Sequence, residues 1–498
     1  MTHSRVYWAS AGLAGRAVFL TGVPMAEVAT SVLVQRPLLA DIQMPFEGDL
    51  LERGPVAHRL TAYLQRLQVG AVIAIDAPWG EGKTWFGRHW AKKLDVDGHR
   101  LAFIDAFGQD YAEDAFMVLS AAVLKLCAED TTTTEKVKRG AGEVMRALLP
   151  VATKAAIHLA ATAVGAGAVV TALNQVADLS VEADEFASVA KQAGDRAGDV
   201  TAEWVKRRLG QWEAEQKSVE GFRQILAEFA KRTFKDTGKP VVIVVDELDR
   251  CRPAFAVALL ERIKHFFDVP HLVFVLLMNR DQLEKAIRGV YGAETDAAAY
   301  LGKFLHLSLQ LPKARTREVT TEHPTRRFIE AVMTELGVPK GEFAPHFAAC
   351  AVFFNLSLRE IERGCTLFAL TDGRQEMLRA YLIALKLRRP DLYHGLRDPL
   401  HADDAHQKCL AVLEEEATMQ VRMESRHWQK PVALHETGFS GPYLNGLAHF
   451  HGIFVGRPGS RTEEEDLHAK QTMDRVFGHS DRERAFARAL SAIDLDVQ

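Results

Sequence analysis

No disulfide framework and no zinc pattern can be drawn from this sequence. Its five cysteines, Cys127, Cys251, Cys350, Cys365 and Cys409, show no CxxC spacing. That argues against a cross-linked secreted scaffold and for reduced thiols in a cytosolic setting. Excess positive charge is also missing. The chain has 61 Lys and Arg against 65 Asp and Glu, a net charge of −4. No global field therefore draws it to nucleic acid or anionic membrane, and a nucleic-acid motor is disfavoured. No export signal is expected, because Arg16 interrupts the mildly apolar stretch from Ala9 to Met25. There is no internal repeat, and no low-complexity run beyond Thr131 to Thr134. The 498 residues, 48% hydrophobic and 25% charged, have ordinary globular composition and enough length for two or three domains.

What is present is concentrated in two short segments. Ala77-Pro78-Trp79-Gly80-Glu81-Gly82-Lys83-Thr84 ends like a phosphate-binding loop, with Ala where the pattern usually begins with Gly. An apolar run, Val69 to Asp76, precedes it and reads as a buried strand. Thr84 to Leu94 follows with helical spacing of Trp85, Phe86, Trp90 and Leu94. In that order, the loop from Pro78 to Thr84 wraps phosphate, its N–H groups after Pro78 converging at the positive end of a helix dipole. Gly80 and Gly82 permit close approach, Lys83 reaches the β- and γ-phosphates, and the Thr84 hydroxyl faces Mg²⁺. The second segment, Val241 to Glu247, is a β-branched run ending in two carboxylates. Acids at the end of an apolar strand need a cation or water. Asp246 is expected to serve Mg²⁺ and Glu247 to polarise the attacking water, while Asp249 reads equally well as a solvated loop acid. The fold class implied is α/β, a parallel P-loop NTPase sheet.

Asp246-Glu247-Leu248-Asp249-Arg250-Cys251-Arg252-Pro253 resembles the extended second motif of the KAP family of P-loop NTPases. Leu260 to Phe267 and Phe274 to Leu283 follow it as in that family, Phe103 to Phe107 upstream resembles its second strand, and Tyr300 to Phe304 with Leu311-Pro312 resemble its closing strand. The resemblance covers roughly residues 45–130 and 235–370. It implies an ATPase of the additional-strand class with a helical lid, and a bacterial setting that includes phage exclusion. It also implies a γ-phosphate sensor at Asn279, whose alternative is a strand-end cap. Ser357 to Arg363 resembles the family's arginine-bearing helix start, so Arg359 is expected at the γ-phosphate or a neighbouring subunit. Arg250 and Arg280 are further candidates for a finger acting in trans.

Between the motifs, Glu113 to Leu126 reads as a helix, and a helical insertion is expected over about 130–235. Within it, Ala155 to Leu173 holds 19 uncharged residues, about 28 Å of helix and just one crossing. A single crossing would put Lys83 and Asp246 on opposite sides of a membrane, so membrane contact through 155–173 is not favoured. In the later part of the insertion, Trp204, Leu209, Trp212 and Phe222 are expected core contacts. Residues 1–44 are expected as an extension, 45–312 as the nucleotide core and 313–390 as a lid. Lid helices are expected at Arg326–Leu336, Phe343–Phe354, Leu358–Leu370 and Glu376–Leu387. An irregular accessory region is expected over 391–498, with a final helix near Asp481 to Ile493. His394, His401, His406, His427, His435, His449 and His451 read as packing or surface residues rather than zinc ligands. The reading that results is an ATP- and Mg²⁺-dependent ATPase that self-associates, acts on a protein partner and works in the cytoplasm or at the inner face of the membrane. A nucleotide-gated scaffold with negligible turnover is the alternative.

Overall fold

The computed structural model describes residues 38–111, 115–128, 220–224, 226–266, 268–313, 323–339, 341–424, 447–448, 451–452 and 482–494. The 155–173 stretch, Trp204, Leu209, Trp212, His427, His435, His449 and most of the 1–44 extension lie outside the described residues.

Five apolar runs become parallel strands: β1 (Ala71–Asp76), β2 (Leu101–Asp105), β3 (Val241–Asp246), β4 (Leu272–Met278) and β5 (Leu307–Gln310). Their order is β2-β3-β4-β1-β5, and every neighbouring pair is parallel. β3 and β4 are buried at every position, which is why both read as unbroken apolar runs rather than alternating ones. β4 therefore lies between β1, which leads into the glycine loop, and β3, which ends in the acids. The register aligns Asp105 with Asp246 and Asp246 with Leu277. The same edge carries Asp76 opposite Met278. Parallel strands thus deliver their carboxylates to one edge of the sheet.

Alternate strand residues feed two cores. Ile73, Ile75, Val242, Val244, Val273, Val275 and Leu277 pack with α1 (Gly54–Leu64) and α2 (Lys83–Val96). Val72, Ala74, Ile243, Val245, Phe274 and Leu276 pack on the other face. Their partners there are α3 (Ala115–Ala128), α4 (Pro253–Ile263), α5 (Arg280–Tyr291) and α6 (Ala297–Gly302). Gly87 lets α2 approach the sheet, since a Cβ at that position would collide with Leu277 Cδ1.

The lid helices are α7 (Pro324–Glu335), α8 (Phe343–Phe353), α9 (Leu358–Ala369) and α10 (Glu376–Arg388). Each begins and ends within two residues of its expected bounds. The region after 390 departs from expectation, because α11 (Pro390–Arg397) and α12 (Ala402–Glu424) are helical, whereas α13 (Arg482–Ile493) lies where a final helix is expected. Pro390 ends α10 but suits the first turn of α11, where a missing N–H is harmless. No core boundary falls at 390 either. Leu392, Tyr393, Leu410, Phe486 and Leu490 share one apolar cluster with Phe347, Phe368 and Tyr381 of the lid. Among the described residues, no helix is long and apolar enough to cross a membrane, and no group of three or more His, Cys, Asp and Glu could hold a metal ion.

Candidate functional site

The chain leaves β1 at Asp76, and the Ala77 amide still donates to the Met278 carbonyl (3.1 Å). The turn that follows is left-handed at Gly80 (φ 84°) and Gly82 (φ 74°), a conformation costly to any residue with a Cβ. α2 then starts at Lys83. The Lys83 ammonium folds back over the loop and donates to the Ala77 carbonyl (2.6 Å) and the Pro78 carbonyl (3.2 Å). Burial lowers its pKa from 10.5, while Asp249 and Asp246 pull the other way.

Asp246, at the end of β3, is 2% exposed. Burial pushes its carboxyl up to about 6, opposed by a hydrogen bond from Thr84. A buried carboxylate paired with a hydroxyl is an oxygen-donor set suited to a small hard cation, which would draw that pKa back down. Asp249 Oδ1 is also buried with no hydrogen-bond partner. Its Oδ2 accepts from the indole of Trp79, which ties Asp249 to the loop. Thr84 and Asp246 fit Mg²⁺ on their own chemistry.

Glu247 adopts a left-handed backbone (φ 58°), and its amide donates to Asp246 Oδ1 (2.9 Å). Its carboxylate is ion-paired with Arg250 at 2.6 Å. Asn279 follows β4 and caps α5, its Oδ1 accepting from the Gln282 amide at 3.4 Å. Arg280 pairs with Glu284 of its own helix (2.8 Å).

The lid meets the loop through the start of α9. A capping box between Ser357 and Glu360 starts that helix. The Arg359 amide donates to the Gly80 carbonyl (3.3 Å). A Cβ on Gly80 would stand 3.0 Å from both Arg359 Cβ and Ser357 Oγ. Gly80 is thus needed twice, for its torsion and for the lid's approach.

Two residues that grip the loop carry no sequence signature. Arg53, 3% exposed, donates to the carbonyls of Glu81 (2.7 Å) and Gly82 (3.3 Å). Burial pulls its guanidinium down to about 10. Lys313, just past β5, pairs with the buried Glu81 carboxylate at 2.5 Å and donates to Asn355 Oδ1 at 3.0 Å. Both lie far along the chain from residue 81, and no spacing links them. The only hint is Arg53's place immediately before the Gly54-Pro55 helix start. Glu81, expected as a loop residue facing the phosphates, instead anchors the loop to Lys313. Pro78, Trp79, Gly80, Glu81, Gly82, Lys83, Thr84, Asp246 and Glu247 all gather at the C-terminal edge of the sheet. Asn279 and the backbone of Arg359 border it.

The replication initiator DnaA bound to AMPPCP and single-stranded DNA is similar at 10% identity and TM-score 0.27, covering 87% of this chain and 93% of that one. A likeness that loose carries no inference for this chain. No curated protein matches it. The sequence matches the KAP family P-loop domain over residues 53–372, which spans the loop, the acidic strand and the start of the lid. The chain belongs to the KAP family of P-loop NTPases.

Proposed function

We propose that this protein binds ATP with Mg²⁺ and hydrolyses it to drive a change in its own conformation or assembly. One observation carries the reading. The glycine loop, Lys83, Thr84 and Asp246 converge at the edge of a parallel sheet, a buried carboxylate and a buried ammonium among them. Loop amides and Lys83 would hold the phosphates, and Thr84 with Asp246 would hold Mg²⁺. The metal supplies charge neutralisation on phosphate oxygens. Glu247 would orient water, with Asn279 and Arg359 reading the γ-phosphate. The order β2-β3-β4-β1-β5, with a strand between the loop strand and the acidic strand, supports the additional-strand reading. The absence of an Asn-Lys-x-Asp guanine motif favours ATP. A role in bacterial anti-phage defence rests on family resemblance alone. The buried cysteines Cys251, Cys350, Cys365 and Cys409, none of them in a disulfide, support a cytoplasmic setting.

A second reading, a nucleotide-gated scaffold with negligible turnover, is favoured by the Glu247–Arg250 pair, which occupies the water-polarising carboxylate. Phosphate release across protein concentrations separates the two. Turnover lost in both Lys83→Ala and Glu247→Gln supports the enzyme, and an upward curve with concentration supports self-association. No turnover, with ATP binding that Lys83→Ala removes, supports the scaffold.

A further inference from the structure

The Glu247–Arg250 pair sits where the chemistry would have to happen. β3 ends at Asp246, and a single 3-10 turn over Leu248–Arg250 follows. The Arg250 amide donates to the Glu247 carbonyl (3.0 Å). The left-handed torsion at Glu247 folds its side chain back over that turn. The guanidinium and carboxylate then meet at 2.6 Å, with the two side chains only 26% and 13% exposed. The charge of Arg250 also reaches Lys83, opposing the effect of Asp249 and Asp246 on that ammonium. Arg250 is thus paired with the candidate base and near enough to the candidate phosphate-binding lysine for the two positive charges to oppose each other.

A guanidinium on Oε1 occupies one carboxylate oxygen and draws off negative charge, which weakens Glu247 as a base toward water. Full basicity requires the pair to open. Opening exposes a charge in a half-buried place, which is costly unless another anion takes over. Two cations facing one space also repel each other unless an anion lies between them. A γ-phosphate answers both needs, and it offers more negative charge than Glu247 does.

We propose that Arg250 is a cis-acting latch that holds Glu247 and exchanges it for the γ-phosphate, so that the base is released only when a triphosphate is present. This rests on the ATP reading above. In this scheme ADP, which lacks the γ-phosphate, leaves the latch closed.

The test measures dissociation constants for a non-hydrolysable ATP analogue and for ADP. The proteins are the full chain, Glu247→Ala, Arg250→Ala, the double variant and Lys83→Ala, each checked for folding by thermal unfolding. Removing Glu247 frees Arg250 without cost, so Glu247→Ala should bind the analogue about tenfold tighter and ADP unchanged. In the Arg250→Ala background the same change should gain nothing. Arg250→Lys, which keeps a cation of shorter reach, should fall between. The proposal is overturned if the gain persists without Arg250, because relief of Glu247–phosphate repulsion then explains it. It is equally overturned if Glu247→Ala tightens ADP as much as the analogue, or neither. If the full chain binds the analogue, Lys83→Ala does not, and the cycle is flat, only the latch falls. Failure of the full chain to bind either nucleotide removes the ATP reading and the latch together.

Discussion

Replacing Arg53 with Ala should loosen the phosphate loop more than any change on its outer face. Each hydrogen bond from a charged donor contributes about 1.5–3 kcal/mol, and Arg53 makes two, to the carbonyls of Glu81 and Gly82. The gross loss is therefore about 3–6 kcal/mol. Against it stands the cost of burying the guanidinium, visible in its pKa pulled down to about 10 and in a buried Nε with no partner. A net loss of about 2–4 kcal/mol remains, which for a domain of this size lowers Tm by roughly 5–10 °C. The loop would then have to be ordered at the expense of binding, so the ATP analogue should bind about tenfold more weakly. Arg53→Lys should recover part of each effect, because an ammonium is a point donor without the guanidinium's fork. The assay pairs urea and thermal unfolding with analogue titration. If Arg53→Ala unfolds within about 0.5 kcal/mol of the parent and binds the analogue equally, the two carbonyl contacts do not brace the loop.

Three further outcomes are expected. Gly80→Ala forces a Cβ into a left-handed torsion at about 1–2 kcal/mol and against Ser357 and Arg359. It should weaken analogue binding about tenfold and make the lid more open to limited proteolysis; an unchanged cleavage pattern would contradict the contact. Lys313→Met strands the buried Glu81 carboxylate and should destabilise the fold by about 1–2 kcal/mol, whereas Lys313→Met with Glu81→Gln should recover most of that. Full additivity in this double-mutant cycle would show the pair to be uncoupled. His406 is held down to about 4 by burial, with Asp403 opposing, and its Nδ1 lies 2.8 Å from His451 Nδ1. The unfolded chain takes up that proton near 6.5, so stability is present above that pH and is lost as pH falls toward 4. His406→Gln should flatten the pH dependence of the urea midpoint over that window; an unchanged slope would mean His406 does not titrate on unfolding.

Much of the site could be read from residues in order, because its signals are local. Gly80, Gly82, Lys83 and Thr84 are adjacent in the chain, and their spacing already imposes a strand, turn and helix. Asp246 and Glu247 end a β-branched run that must be buried on both faces. The amphipathic stretches from Pro324 to Arg388 have a helical period, and Ser357 with Glu360 marks a helix start within four residues. The boundary expected at 390 misled, because a proline such as Pro390 that stops one helix can equally begin the next, and only packing against the lid core decides between them.

The sequence by itself therefore determined the loop strand, the acidic strand, the glycine turn into α2 and the family, each carried by neighbours in the chain. Tertiary structure alone decided that Arg53 and Lys313 grip the loop, and that α9 rests on Gly80. It also decided that Glu247 is held by Arg250, although the two are only three residues apart. The spacing allows that pair, but only the left-handed torsion at Glu247 brings the charges together. The physical reason is common to all of these. A contact between residues far apart in the chain, or one that depends on a single torsion, leaves no periodicity and no composition to read. It appears only when burial makes each polar group find its partner.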